Sequence, residues 1–412
     1  SLPGHQGRIA QAIWSPDGKR IATASADGMA RIWQVEGQGN NLLRESGNVS
    51  HLAWSPGGDR IAIALQDGAA HVWDISSARM LAELKGHDDY LSIIAWNPAG
   101  TRLATASGDG TARIWDAADG RQVALLPHDE NVTMVAWSPD GARVATYADD
   151  TITRVWDPES GRELARWEHG PGEFPRVLWS PDGKRLVTAA WGELHVWVAE
   201  AGQEVKILRG FPASIPDIAW SPEGTRLLTG SGDNIARIDD AVTGEMIAEL
   251  RGHSGAIFRV AWSPDGKSVA TASSDHTGRL WDAQTGRELL VLTGHDGDVE
   301  DIAWSADGRR LATASADGTI RIWESQSGRE ISRYTGRGQL MAWDPGGKRL
   351  ATLLTDLSFV EIVSLPPDNL PMWLGCALGQ VPAVSLPDVR DDFFLMAVPQ
   401  QGSAAARLGE PY

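Results

Sequence analysis

Of the 412 residues only one is cysteine, Cys376, and tyrosine and phenylalanine number four and six. A single thiol excludes an intrachain disulfide framework and a cysteine-rich zinc site. No run of about 18 apolar residues occurs, so no segment reads as a membrane-spanning helix. Basic side chains are in deficit, 37 Lys and Arg against 54 Asp and Glu, for a formal charge of −17. That field repels a nucleic-acid backbone, and no nucleic-acid partner is expected. The sequence is rich instead in glycine (45) and proline (22), a turn-heavy balance that disfavours a helical bundle. Apolar residues at 42% suffice for a core and argue against wholesale disorder. The sequence opens on Ser1 rather than Met, which suggests processing or a longer parent chain.

The 19 tryptophans keep a period. One set falls at Trp14, Trp54, Trp96, Trp137, Trp179, Trp220, Trp262, Trp304 and Trp343, with gaps of 39 to 42. A second set follows 18 or 19 residues later, at Trp33, Trp73, Trp115, Trp156, Trp197, Trp281 and Trp323. A period near 41 is the mark of a repeat architecture. In the clearest unit, Val299–Trp304, Arg310–Ser315, Thr319–Trp323 and Arg329–Tyr334 read as four short strands joined by turns containing Gly, Asp and Ser. The first turn closes with glycine in all nine units, from Gly18 to Gly347, and carries Pro at its second position in eight. Pro presets φ there, and Gly accepts the left-handed conformation that re-enters the next strand. One such sheet cannot cover both of its faces; radial packing against neighbours can, which gives an all-β propeller. Each indole would bury about 150–250 Å², an upper bound of roughly 4–6 kcal/mol per ring at about 25 cal/mol/Å².

Over residues 4 to about 364 the chain resembles the WD-repeat family of β-propellers. Gly-His opens units at Gly4-His5, Gly86-His87, Gly252-His253 and Gly294-His295, and Trp-Asp closes third strands at Trp73-Asp74, Trp115-Asp116, Trp156-Asp157 and Trp281-Asp282. The resemblance implies a buried tetrad of His, Ser or Thr, Asp and Trp. Five units carry all four: His5, Thr23, Asp27 and Trp33; His87, Thr105, Asp109 and Trp115; His128, Thr146, Asp150 and Trp156; His253, Thr271, Asp275 and Trp281; His295, Thr313, Asp317 and Trp323. The grouping has the residue types of a hydrolase triad, but it recurs five times with Thr as the hydroxyl and reads as a structural lock. No catalytic residues, metal site or cofactor are expected. Gly266-Lys267-Ser268 has the ending of a phosphate loop, yet Ala261 stands where its glycine is required and the segment is a hairpin turn.

Four units depart from the pattern, and their sheets are expected to be looser. The second lacks the opening His and has Ile63 for Thr. The fifth has Trp191 in a shortened turn. The sixth has Phe211 for His and Asp239 for Trp. The ninth has Ile362 or Val363 for Trp. Nine blades in one ring are expected, with eight, or seven plus partial units, as alternatives. Residues 365–412 lose the period; they are expected to form a tail that supplies the last strand from 370–378 or packs on the ring through apolar Phe393–Val398. An N-terminal overlap is the other route to closure.

The resemblance implies a non-catalytic scaffold for protein–protein interaction, docking on the face that carries the loops into the first strands and between second and third. By register that face includes Tyr90, Asp149, Glu173, Trp191, Phe258, Asp298 and Glu300. The aromatics are of the kind that anchor interfaces, and the acids supply a negative rim. A protein or peptide partner, basic or amphipathic, is therefore expected, with a monomeric, cytoplasmic propeller and no membrane partner. The alternative is a sensor domain of a multidomain bacterial signalling NTPase or kinase.

Overall fold

A computed structural model describes residues 5–7, 9–35, 40–45, 48–169, 176–190, 193–198, 203–209, 214–335, 338–354, 360–364 and 394–396. Every regular element among them is a strand. The strands form nine sheets, in which strands consecutive in sequence pair antiparallel. Sheet one begins with Ile9–Trp14 and continues through Arg20–Ser25, Met29–Gln34 and Asn40–Arg44. The first strands of sheets two to nine are Val49–Trp54, Leu91–Trp96, Val132–Trp137, Arg176–Trp179, Asp217–Trp220, Ile257–Trp262, Val299–Trp304 and Gly338–Trp343. Sheets two to eight have four strands each, and sheet nine has three among the described residues.

Burial is greatest in the second strands and falls off outward to the fourth. Second strands such as Arg310–Ser315 are buried along their whole length, because both faces are covered by neighbouring sheets. Fourth strands such as Arg79–Leu84 expose most of their side chains. The turns behave as their sequence demands: the nine closing glycines, from Gly18 to Gly347, all have φ between +65° and +73°, a region that costs an L-residue about 1–2 kcal/mol.

The tryptophans join sheet to sheet. Each first-strand indole donates its Nε1–H to a first-strand carbonyl of the preceding sheet: Trp54 to Ile13, Trp96 to Ala53, Trp137 to Ala95, Trp179 to Ala136, Trp220 to Leu178, Trp262 to Ala219, Trp304 to Ala261 and Trp343 to Ala303, at 2.9–3.3 Å. Trp14, which has no preceding sheet in sequence, donates to Ala342 of sheet nine at 3.0 Å. A second link runs the other way. Arg20, Arg60 and Arg226 each donate a guanidinium N–H to the turn glycine of the following sheet (Gly58, Gly100, Gly266) and lie over its tryptophan. Arg349 of sheet nine does the same to Gly18 and Trp14 of sheet one. One apolar cluster accordingly joins Ile9, Trp14 and Trp33 to Ala342 and Ala351. First and last sheets meet as consecutive ones do, in the radial packing of a β-propeller.

Two sequence expectations are refined here. By strand register Val363, opposite Leu350, occupies the third-strand tryptophan position of sheet nine. Phe394–Met396, within the apolar tail segment, adds to sheet one as a parallel strand beside Ile9–Trp14. Residues 370–378 lie outside the described residues.

Candidate interaction face

The locks that hold the loops are assembled first. In sheets one, three, seven and eight, the His Nδ1 lies 2.8–3.0 Å from the turn Asp, its Nε2 lies 2.7–2.8 Å from the Thr hydroxyl, and the indole donates to that hydroxyl at 2.8–2.9 Å. The donations run in one direction: Trp N–H to Thr, Thr O–H to His Nε2, His Nδ1–H to Asp. Only a neutral imidazole fits that chain. Burial accordingly lowers the pKa of His5, His87, His253 and His295, against the opposing effect of the Asp partner. Every hydroxyl in these locks is at most 1% exposed and already paired, so none is available as a nucleophile.

The fourth unit is a correction. His128 Nε2 meets Thr146 at 2.7 Å and Trp156 donates to Thr146 at 2.8 Å. Yet His128 Nδ1 donates to the Leu126 carbonyl at 3.0 Å, not to Asp150. Asp150 sits 2.7 Å from Arg154 instead, without the alignment of a hydrogen bond. The physical reason is the residue before the His. A Cβ at Gly86, Gly252 or Gly294 there would run into the guanidinium of the third-strand arginine (Arg113, Arg279, Arg321); Pro127 carries one, and Arg154 stands against Asp150. Burial, then Arg154, lowers the His128 pKa to about 4.

The second unit, expected to lack a lock, has a substitute. Glu45 accepts from His71 Nδ1 at 2.5 Å and from Trp73 Nε1 at 2.8 Å. The Glu45 hydrogen bond raises the His71 pKa, outweighing burial. In the fifth, Trp197 keeps its bond to Thr188 at 2.9 Å, while His169 turns back to Thr153 of sheet four. In the sixth, Asp239 is 6% exposed, its Oδ2 has no hydrogen-bond partner among the described residues, and burial pushes its pKa up to about 6. Thr352 in the ninth is likewise buried with its hydroxyl unpartnered among the described residues.

The locked turns and strand starts set the face. Tyr90 is 40% exposed, with its ring so close over Gly108 that a Cβ there would meet Tyr90 Cε1 at 2.5 Å. Asp149 is exposed on sheet four, its amide donating to the Asn131 carbonyl. Phe258 and Glu300 are both half-buried, each the second residue of its first strand on neighbouring sheets seven and eight. Asp298 lies 3.5 Å from His276 of sheet seven, and Asp301 lies 3.9 Å from Arg259. Burial, then Asp298 and Asp301, pushes the Glu300 carboxyl above its ordinary pKa. The structure thus groups Phe258, Asp298 and Glu300 on sheets seven and eight, and sets Tyr90 and Asp149 apart on sheets three and four. Glu173 and Trp191 lie outside the described residues.

A belt of polar side chains around the inner strands escaped the sequence reading. Gln11 accepts from the Leu52 amide of the next sheet at 2.6 Å, and Asp217 accepts from the Val260 amide at 2.8 Å. Gln11 also meets His51 at 3.3 Å, and burial lowers the His51 pKa to about 4. The signal was present: a polar residue three positions before the first-strand tryptophan. Among the described residues no group of three or more His, Cys, Asp or Glu is placed to hold a metal, and no helix is long and apolar enough to cross a membrane.

The family model of the WD domain, G-beta repeat, matches residues 1–34, 40–74, 78–116, 120–157, 202–238, 244–282 and 286–324. The chain belongs to the WD40 repeat family. Its matches pass over the fifth and ninth units, yet both form sheets with the same indole links as the rest. Among solved structures, this WD40 chain is similar to the C-terminal WD40 domain of Sif2, at 19% identity and a TM-score of 0.64, covering 88% of this chain and 97% of that one. It is also similar to the computationally designed Ika8 protein, at 23% identity and a TM-score of 0.56, covering 79% and 98%. Both likenesses speak to the fold alone. No curated protein matches the chain.

Proposed function

We propose that this WD40 protein is a non-catalytic, nine-bladed platform that binds a basic or amphipathic protein segment on the face carrying the first-strand loops. WD40 domains serve typically as protein-interaction scaffolds, and a monomeric ring in the cytoplasm belongs to this reading. The observation that carries the choice of partner is Glu300. Its carboxyl is half-buried between Asp298 and Asp301, and its pKa is raised by burial and by their like charge. A Lys or Arg side chain placed there relieves the repulsion, and Phe258 on the adjoining strand offers apolar contact beside it. Arg259 lies 3.9 Å from Asp301 and His276 3.5 Å from Asp298, whereas the charges that act on Glu300 are the like ones of Asp298 and Asp301.

The test is titration with a labelled amphipathic peptide carrying alternating Lys and Leu. Binding to the wild-type chain should weaken by roughly tenfold or more in the D298K/E300K double variant, and more at low salt than at high. Equal affinity of variant and wild type would remove the acidic group from the site.

A further inference from the structure

Phe394–Met396 runs parallel to the first strand of sheet one, with Phe394 opposite Gln11, Leu395 opposite Ala12 and Met396 opposite Ile13. It takes the edge of that strand away from Arg20–Ser25, so sheet one alone among the nine carries a fifth strand in the described residues. First strands are the ones whose indoles reach one another's carbonyls around the ring, so this is the inner edge. The tail strand also lies against Gly338–Trp343, the first strand of sheet nine. It therefore sits at the junction where the two ends of the repeat array meet.

An unpaired strand edge is a row of backbone donors and acceptors that take up any suitably extended segment. Main-chain pairing supplies affinity there with little demand on sequence. We propose that the inner edge of Ile9–Trp14 is a strand-addition site for an extended apolar segment, which the chain's own Phe394–Met396 occupies in cis. The site is distinct from the loop face described above. Three residues of parallel pairing are weak, but a tether presents them at about millimolar effective concentration. That keeps the edge covered in the wild-type chain, and an outside segment of the same apolar character gains it only when the tail strand is withdrawn.

Hydrogen exchange on the full chain tests this, with Leu395→Pro removing a backbone N–H and Leu395→Ala retaining it. Amides of Gln11–Ile13 directed away from Arg20–Ser25 should exchange roughly tenfold faster in L395P, stay protected in L395A, and leave those of Leu91–Trp96 unchanged in both. A labelled peptide with the sequence of residues 390–400 should bind L395P and not the wild-type chain. Unaltered exchange in L395P would overturn the proposal. So would equal loss of protection in L395A, or peptide binding to both chains or to neither.

Discussion

Thr313 and Thr352 are the same residue type at the same place in sheets eight and nine, both buried, and their surroundings give them opposite roles. Thr313 accepts a hydrogen bond from the Trp323 indole N–H and donates its O–H to His295 Nε2. Thr352 has no partner for its hydroxyl among the described residues. Thr313→Val leaves two buried groups unpaired and should cost about 1–3 kcal/mol. Thr352→Val removes an unpaired polar atom from the same kind of site and should be neutral or stabilising. Urea midpoints for the two variants decide the matter, and equal losses would mean that the tetrad bonds carry no stability. The tetrads were legible in sequence through the family resemblance, their four members recurring at fixed offsets from one another. Asp150 shows the limit of offsets. It sits at its expected place, but Pro127 replaces the glycine whose missing Cβ leaves room for the third-strand arginine, and Arg154 stands against Asp150 where His128 was expected. Glu45 was not legible at all, since it reaches His71 and Trp73 from outside the register.

At the scale of the element, sheet two shows how a repeat unit tolerates the loss of its pattern. Ile63 replaces the hydroxyl, and Glu45 bridges His71 and Trp73 in its stead. The environment favours the His71 imidazole as a cation and the tetrad imidazoles as neutral rings, so its pH dependence has the opposite sense. The His71 pKa is raised in the folded chain. Its contribution is therefore complete below the unfolded value of about 6.5 and lost as pH rises through the folded value. Glu45→Gln keeps an acceptor for the indole and removes the charge. It should cost about 1.5 kcal/mol at pH 6 and distinctly less at pH 9, measured as the difference in urea midpoint from wild type. The same loss at both pH values would show that His71 is not held as a cation. Strand and turn positions were readable from the period-two pattern and the Gly-closed turns. The tail strand was not readable in its pairing, because a parallel edge addition rests on backbone groups that every residue carries.

At the scale of the molecule, the tryptophan period announced a set of like sheets but left open how the array ends. Closure is a property of three-dimensional fit between units nearly 330 residues apart, as in the bond from Trp14 to Ala342, and no local signature encodes it. The structure shows the same two links at the seam as between consecutive sheets, the indole to a carbonyl and the arginine to a turn glycine. The proposed interaction face depends on that closure, because a ring fixes the loops of sheets seven and eight relative to those of three and four. Net charge of −17 then biases which partners approach it.

Closure is tested most directly by lysine cross-linking with a short reagent, read by mass spectrometry. Lys19 adjoins Gly18 in the first turn of sheet one, and Lys348 adjoins Arg349, whose guanidinium reaches the Gly18 carbonyl at 2.7 Å. Lys184 and Lys267 occupy the same turn in sheets five and seven. A ring of these nine sheets yields a Lys19–Lys348 cross-link within one chain and none from Lys19 to Lys184 or Lys267. Absence of the Lys19–Lys348 product, with other short-range cross-links formed, would contradict it.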